Sequence, residues 1–449
     1  MVSQGRKIIM NVYKRVAFAA TDRRTLMAGL WAALSAVVAQ PVQAVDFAFS
    51  GFATVGFAQS DQEYNYQRFV NKQGTFKRDS MFGIQMDAKL DNEFGVTVQG
   101  KLAPALNNDQ DVEATITRAF LSWRPTNDWL VRIGRLHAPV YLNSEHLDVG
   151  VTYDFARLPA EVYASVPSTD ADGIYVAKTW NVDDSEVTLN GYWASAKMPY
   201  RYYFRDNVPP LLSSGAYFVS TRQSARGLIL TVQQGDDTFQ VGAHDIDTKI
   251  FGNLLMPLNY PYVNLLPGVG YYQTTNLLPG PGVQSVDNFR SQAYFVAADV
   301  RVGQGFRVVG EYVRSVIPVA AGPDSQGGYL ALLKPIGAWT PYVSLARLVS
   351  MSRTRDMYNK VNGNTLPSKY FGSDLINAAQ RAGADGIIAY DQTTWAIGTS
   401  YRINPTSKLK AEWAQTRTGD MSQFIDVPPG GTSGKQVINV FSLPYNVVF

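Results

Sequence analysis

Apolar and polar residues alternate with a period of two along most of the chain beyond residue 45. In residues 82–90 one face carries only apolar side chains, namely Phe82, Ile84, Met86, Ala88 and Leu90. The same alternation recurs in residues 96–102 and 294–302. A period of two is that of a β-strand with one apolar and one polar face. The pattern therefore predicts a protein built from many two-faced strands.

Short turns and long connections alternate between these strands. Seven tight turns rich in Gly, Pro, Asn, Asp and Ser lie at 91–93, 125–128, 183–185, 235–237, 303–305, 335–337 and 404–406, each with an aromatic residue close by. Eight longer connections lie near 60–79, 104–113, 136–171, 197–223, 249–288, 318–326, 353–390 and 419–435. Together, seven short and eight long connections join sixteen strands.

This arrangement predicts an all-β fold, a closed antiparallel transmembrane β-barrel of sixteen strands. In lipid no water satisfies backbone groups, so a sheet must close on itself, and aromatic residues lie at the headgroup level. The alternative is a secreted soluble β-protein such as a propeller. A propeller is disfavoured because the sequence has no repeat of fixed period.

Composition removes several classes of protein. The 449 residues include no cysteine and three histidines, which excludes disulfide scaffolds, Cys-ligated zinc, thiol catalysis and iron–sulfur clusters. The net charge is +3, but residues 1–44 carry six basic residues and one acid, a net +5. Subtracting +5 from +3 leaves −2 for residues 45–449. A nucleic-acid binder is therefore not supported.

The first 44 residues have the features of an export signal. The apolar stretch Leu26–Ala39 follows Arg23 and Arg24, and the short side chains of Val42 and Ala44 suit a signal peptidase. The alternative, a membrane anchor, needs a longer apolar run. We expect residues 1–44 to be a signal peptide cleaved before Val45, leaving a barrel domain of residues 45–449.

The end of the chain carries a specific resemblance. Residues 437–449 alternate and end on an aromatic residue, Phe449. Together with FSGFATVGF (49–57), the segment 134–163 and KAEW (410–413), this strand resembles the Gram-negative outer-membrane porins. Pro444 is unusual in such a strand, and is tolerable only where its missing N–H removes no ladder hydrogen bond.

The resemblance implies a trimeric barrel in outer-membrane lipid, with periplasmic short turns and extracellular long loops. It implies that Tyr445 and Phe449 act as the signal read by the barrel-assembly machinery. It also implies that the third long loop, residues 136–171, folds inward and narrows the pore.

A pore constriction is expected where this loop faces the strands before it. The strands supply Lys101, Arg118 and Arg132 with Arg135 at the rim, and the loop supplies Glu145, Asp148, Asp154 and Glu161. Two interpretations stay open: a transverse field across a wet constriction, or salt bridges that fix the loop to the wall. Further inward candidates carry both charge signs in similar number, namely Asp87, Lys89, His244, Asp299, Arg301, Arg307, Glu311, Lys410 and Glu412.

These observations predict a channel for passive diffusion of small hydrophilic solutes and ions, slightly cation-preferring, with no cofactor. The alternative is a substrate-selective channel whose loops 249–288 and 353–390 form a binding vestibule. The apolar composition of residues 253–280 favours this alternative. A third possibility is an adhesin with a closed pore. His137, His146 and His244 lie in no G-x-S-x-G or H-E-x-x-H motif, so no enzyme is predicted.

Overall fold

Sixteen antiparallel strands form one closed barrel. The computed structural model describes residues 45–449 except Ser165 and Pro167, so the expected signal peptide and its cleavage site at residue 44 lie outside the described residues. The strands, numbered β1 to β16 in chain order, are Asp46–Ser60, Met81–Lys89, Phe94–Pro104, Val112–Trp123, Trp129–His137, Asp170–Val182, Ser185–Phe204, Gly215–Gln234, Asp237–Phe251, Asn288–Val302, Phe306–Val316, Ser325–Leu333, Trp339–Ser350, Tyr390–Asn404, Ser407–Ser422 and Val437–Val448. The predicted all-β sixteen-stranded fold is confirmed.

The barrel closes because β1 pairs with both β2 and β16. Each strand otherwise pairs with its neighbours in the sequence, so every connection joins adjacent antiparallel strands. Tight turns at one end alternate with long connections at the other, at the predicted places. One long connection is shorter than expected: β7 and β8 stay paired up to Phe204 and Gly215, leaving 205–214 rather than 197–223. The alternation of inward and outward side chains continues through residues 200–204, where it is hard to see because most of these residues are aromatic. Tyr202 and Phe204 point inward and are buried.

The outer surface of the barrel is apolar. Outward side chains in the middle of the strands are large and strongly exposed: Leu345 is 57% exposed, Leu228 61% and Leu330 62%. Their inward neighbours include ionisable residues that are buried in the interior, such as Glu311 and Lys410. This distribution is the reverse of that in a soluble protein and matches a barrel whose outer face contacts hydrocarbon.

The end with the long connections is covered by folded loops. The connection between β13 and β14 contains helices Ser352–Gly363 and Ser373–Asp385, and the connection between β9 and β10 contains two short antiparallel ladders. These loops pack on a buried apolar cluster that includes Ile250, Tyr358 and Ile387. No helix among the described residues is long and apolar enough to cross a membrane.

A buried ion pair fixes the second of these helices. The Arg205 guanidinium, 1% exposed, donates to Asp385 at 2.9 Å and also to Tyr358 at 3.3 Å. Arg381 donates to Asp206 at 2.6 Å beside it. Because both arginine–aspartate pairs join the end of β7 to the helix Ser373–Asp385, they hold this loop over the barrel mouth.

Pro444 occupies a position in β16 that tolerates the loss of its N–H. The pairing of β16 with β1 is continuous across Gly56 and Pro444. Its pairing with β15 skips residues 443 and 444, between Leu409–Tyr445 and Glu412–Ser442. The proline therefore falls at an interruption of one ladder, as its chemistry requires.

The lipid-facing assignment predicts a position-dependent effect of charge. Leu345 lies in the middle of β13 and is 57% exposed on the outer face. Leu345→Arg is expected to lower the free energy of unfolding in bilayers by about 2–4 kcal/mol, because the guanidinium must enter hydrocarbon. Urea unfolding of the chain folded into vesicles measures this change.

The matched control is Leu375→Arg on the helix Ser373–Asp385, where the side chain is 44% exposed. This variant is expected to change the free energy of unfolding by no more than about 0.5 kcal/mol. Equal effects of the two substitutions would contradict a lipid-facing outer surface.

Candidate functional site: a segment folded inside the barrel

Residues 138–169, called here the inner segment, connect β5 to β6 and fold into the barrel. A hydrogen bond from Ala138 N to Thr169 O, 2.8 Å, joins the two ends of the segment. In between, the segment contacts inward side chains of strands on both sides of the lumen, among them Lys101 of β3 and Glu311 of β11. The segment therefore spans the interior rather than the barrel mouth.

Three predicted basic residues meet the first half of the inner segment. Lys101 Nζ lies 2.7 Å from Asp148 Oδ2, and Arg132 lies 3.1 Å from Glu145 Oε1. The Arg118 guanidinium donates to the backbone carbonyl of Glu145. These five residues lie together in the structure: Lys101 and Arg132 form direct ion pairs across the contact between wall and segment, and Arg118 meets a backbone carbonyl there.

The other two predicted acids lie on the opposite wall. Asp154 accepts hydrogen bonds from Lys408 at 2.9 Å and Ser400 at 2.7 Å, and contacts Arg307 at 3.2 Å. Glu161 is 3% exposed and accepts from Gln392 at 2.7 Å. The four acids therefore do not form one acidic face; they divide between two walls of the barrel.

The electrostatic environment keeps Asp154 ionised. Burial raises the pKa of its carboxyl, but the charge of Lys408, the hydrogen bonds from Lys408 and Ser400, and the charge of Arg307 together lower it below 3.8. A lowered pKa means that the ion pair stabilises the fold at neutral pH. That contribution is lost only as the pH falls through the lowered pKa, below 3.8.

Arg135 does not belong to this site. Its guanidinium pairs with Asp172 at 2.7 Å on the outward face of β5 and β6, and it also donates to Ile116 O. Because side chains alternate along β5, an inward Arg132 places Arg135 outside. The expectation that Arg135 lines the rim of the constriction is therefore wrong. Arg301, named as an inward candidate, pairs with Asp236 at 2.6 Å near a tight turn.

A buried lysine and a tyrosine fix the centre of the segment. Lys410 Nζ donates to Gly150 O at 2.6 Å and Phe155 O at 2.9 Å, and lies 4.0 Å from the centroid of the Tyr153 ring. Tyr342 accepts a hydrogen bond from the Ala156 N–H at 2.9 Å. In the sequence KLKAE, alternation places Lys408 and Lys410 on one face of a strand. No local sequence pattern predicts that their partners lie on the inner segment.

Glu311 of β11 also attaches the inner segment to the barrel wall. This carboxylate is 4% exposed and accepts hydrogen bonds from the Leu142 N–H at 3.0 Å, Tyr329 Oη at 2.7 Å and the Tyr163 hydroxyl. A buried carboxyl group requires such partners. Glu311 was expected to face inward, and the structure shows that it holds the segment.

The inner segment leaves space on the side of β7 to β11. A cavity there is bounded by Tyr141 and Val166 of the segment and reaches Met256 and Ile388 of the long loops. Its walls combine aromatic, aliphatic and uncharged polar side chains, and none of the described lining residues is charged: Met198, Tyr200, Tyr202, Val219, Thr221, Gln223, Ile246, Thr248, Ile250, Phe289, Ser291, Gln292, Ala293, Ser315, Ile317, Pro323 and Ser325 complete the lining.

An aromatic layer lies below this cavity, toward the tight turns. Phe295 packs edge-on against Tyr141, with ring centroids 6.2 Å apart, and stacks on His244 at 5.6 Å. His244 Nδ1 is 2.8 Å from the Tyr192 hydroxyl. The lumen thus has two regions, a charged contact along the inner segment and a packed aromatic cluster beside it.

Ser144, Glu145 and His137 have side chains of types that serve in catalysis elsewhere, but they do not come together in one site. Ser144 Oγ accepts the Tyr141 N–H at 2.8 Å, whereas the Glu145 carboxylate turns to Arg132. His137 lies at the end of β5, 3.0 Å from Asp170. Within the described part of the chain, no group of three or more His, Asp or Glu residues is placed to hold a metal ion.

The contact between wall and segment predicts a large penalty for removing one partner. Lys101 and Asp148 are 17% and 7% exposed. Lys101→Met is expected to lower the free energy of unfolding by roughly 3 kcal/mol, because it leaves the Asp148 carboxylate buried without its cation. Denaturant unfolding followed by tryptophan fluorescence measures the change.

Lys89→Met is the control, since Lys89 is exposed near a tight turn. It is expected to change the same quantity by about 0.5 kcal/mol or less. A loss for Lys101→Met no larger than the control would show that the ion pair does not hold the segment.

Comparisons with known proteins return similar structures only. No protein-family model and no curated protein sequence matches the chain. Similar solved structures include OmpTdeltaL8, a loop deletion mutant of OmpT, an outer membrane protein of Vibrio cholerae, at 11% identity and a TM-score of 0.48, covering 91% of this chain and 100% of that chain.

An anion-selective porin from Comamonas acidovorans is similar at 11% identity and a TM-score of 0.49, over 90% of this chain and 100% of that chain. The outer membrane channel DcaP of Acinetobacter baumannii is similar at 12% identity and a TM-score of 0.48, over 91% and 99%. At TM-scores below 0.5 these similarities carry no functional argument. The sixteen-stranded architecture stands on the strand pairing of the barrel itself.

Proposed function

We propose that this chain forms a channel in the outer membrane of a Gram-negative bacterium and lets small hydrophilic solutes and ions diffuse passively past the inner segment. One observation carries the proposal: the barrel has an apolar exterior, and a segment rich in ionised groups is attached inside it at several points. A bilayer supplies the apolar surroundings that the exterior needs, and water in the lumen supplies the polar surroundings of the interior.

The proposal includes the assembly expected from the sequence. The chain is exported with a cleaved signal peptide, inserted by the barrel-assembly machinery and assembled as a homotrimer. Tyr445 and Phe449 are both exposed at the outer face of the end of the chain, which suits recognition by another protein.

The pairing of charges along the inner segment predicts weak ion selectivity. Lys101 and Arg132 each have an acidic partner on the segment, so little uncompensated field remains across the passage. With a net charge of −2 outside the signal peptide, a slight preference for cations is expected. The constriction role of Glu145, Asp148, Asp154 and Glu161 belongs to this proposal.

Single-channel recording in planar bilayers tests it directly. The purified protein is expected to give ohmic steps of conductance. Under a salt gradient, replacing Arg118 and Arg132 by Glu is expected to move the reversal potential toward that of cations, because two inward cations become anions.

Arg135→Glu is the matched control, because Arg135 faces outward. It is expected to leave the reversal potential unchanged. Absence of conductance would reject the channel and favour a closed adhesin, and equal shifts in both variants would remove Arg118 and Arg132 from the conducting path.

A substrate-selective channel is the second candidate, and the uncharged cavity favours it. Residues from both long loops expected to form a vestibule, Met256 and Ile388, reach this cavity. An uncharged wall with aromatic rings and a few hydroxyl and amide groups suits a neutral aromatic solute more than an ion. Thr221 and Gln223 supply hydrogen-bonding groups at its wall.

Block of the ion current by neutral aromatic alcohols tests this candidate. If the cavity binds them, the current falls in a saturable way as benzyl alcohol is added. Ala293→Phe is expected to abolish the block, because the ring fills the cavity that Ala293 lines. Ser220→Phe places the same ring at an exposed position of β8 and is expected to leave the block intact. A linear, unsaturable response in the unmodified protein would reject selective binding.

A further inference from the structure

A row of unpaired cations crosses the outer face of the barrel. Lys197 of β7, Arg222 of β8 and Lys249 of β9 are direct cross-strand neighbours, since Lys197 pairs in register with Arg222 and Arg222 with Lys249. All three side chains are exposed. Among the described residues, none of the three has an acidic partner within ion-pair distance. We call them the cation row.

The surface next to the cation row, toward the tight turns, is also basic. Arg226 and Arg290 flank Asp245, each with a nitrogen 2.5 Å from its carboxylate. With Asp247 included, the patch has five cations, Lys197, Arg222, Lys249, Arg226 and Arg290, against two acids, a net +3. Such a net charge attracts an anion, and the cation row is the part of the patch where no described carboxylate lies within ion-pair distance.

The position of this patch relative to hydrocarbon follows from the strand register. Trp193 is the cross-strand neighbour of Arg226, and Tyr294 lies one outward position beyond Gln292 in the same direction. Trp and Tyr concentrate at the boundary between hydrocarbon and headgroups. The cation row is therefore at the headgroup level, on the side with the long loops.

An apolar groove continues from the patch down the barrel wall. Two shallow depressions on the outer face share Leu230, Val241, Val296 and Tyr312, so they form one continuous groove. The first depression reaches Leu228 and Ala243, just below Arg226 and Asp245 in the strands. The groove exists because small residues such as Ala243 stand between large apolar side chains.

We propose that this surface binds an anionic lipid, whose phosphate lies on the cation row and whose acyl chains lie in the groove. Charge complementarity selects the occupant, because an uncharged lipid would fill the groove equally well but leave Lys197, Arg222 and Lys249 without a counterion. Phosphate is matched by a cluster of lysine and arginine side chains. This inference rests on the proposed location of the barrel in a membrane, but it does not require the channel to conduct.

Native mass spectrometry of the full mature chain, refolded in neutral detergent, tests this proposal. The probes are dimyristoylphosphatidylglycerol and dimyristoylphosphatidylcholine, which differ in headgroup charge and share their acyl chains. The protein is expected to retain the anionic lipid about tenfold more than the neutral one. Replacing Lys197, Arg222 and Lys249 together by Gln is expected to remove that preference.

The control for the loss of charge is the triple replacement of Lys360, Lys369 and Lys435 by Gln. These three lysines are exposed in the long loops and away from the patch, and the net charge changes by the same amount. This control is expected to keep the preference. Ala243→Trp, which fills the groove, is expected to reduce retention of both lipids.

Several outcomes overturn the proposal. These are equal retention of the two lipids, an equal loss of preference in both triple variants, and full displacement of the lipid by inorganic phosphate. Dissociation of an oligomer by Ala243→Trp, with lipid retention unchanged, would assign the groove to a second copy of the chain. Circular dichroism of each variant separates these outcomes from misfolding, and a protein that binds the lipid but passes no current rejects only the channel.

Discussion

Every feature of this molecule depends on the satisfaction of backbone hydrogen bonds where no water is present. A sheet in hydrocarbon has no tolerable edge, so β1 must pair with β16 although nearly the whole chain separates them. The closed ladder then fixes side-chain direction, because alternate residues along each strand face opposite sides. Pro444 shows how narrow the tolerance is, since it falls where the ladder between β15 and β16 is interrupted.

The same closure makes the interior a place where charges need partners. Glu311 and Lys410 are nearly inaccessible, and each is satisfied by the inner segment rather than by its own strand neighbours alone. Buried ionic contacts are weak sources of stability, because desolvation offsets much of their attraction. They do restrict geometry. A segment joined to Lys101 on one wall and to Glu311 on the opposite wall has few alternative positions.

Period-two alternation and the composition of the turns were enough to predict the strands, the tight turns and the inward direction of Arg118, Arg132 and Glu311, because these depend on neighbours in the sequence. It could also have placed Arg135 outside, since Arg132 and Arg135 differ by an odd number of positions. The partners of Asp154 and Glu161 could not be predicted, because they lie on strands more than 150 residues away. The charge-free cavity was also beyond the sequence, since β7 to β11, two loops and the inner segment build it together.

The length of β7 and β8 links the two proposed binding surfaces. Each has 20 residues, whereas about 9–11 residues suffice to cross hydrocarbon in a tilted barrel strand. The surplus extends beyond the membrane, where the outward face is free to carry charge and the inward face still encloses the lumen. Lys197 and Arg222 therefore face lipid headgroups, while their chain neighbours Met198 and Thr221 line the cavity. Because the backbone between these faces is one hydrogen-bonded ladder, changes of side chain on one face leave the opposite surface in place.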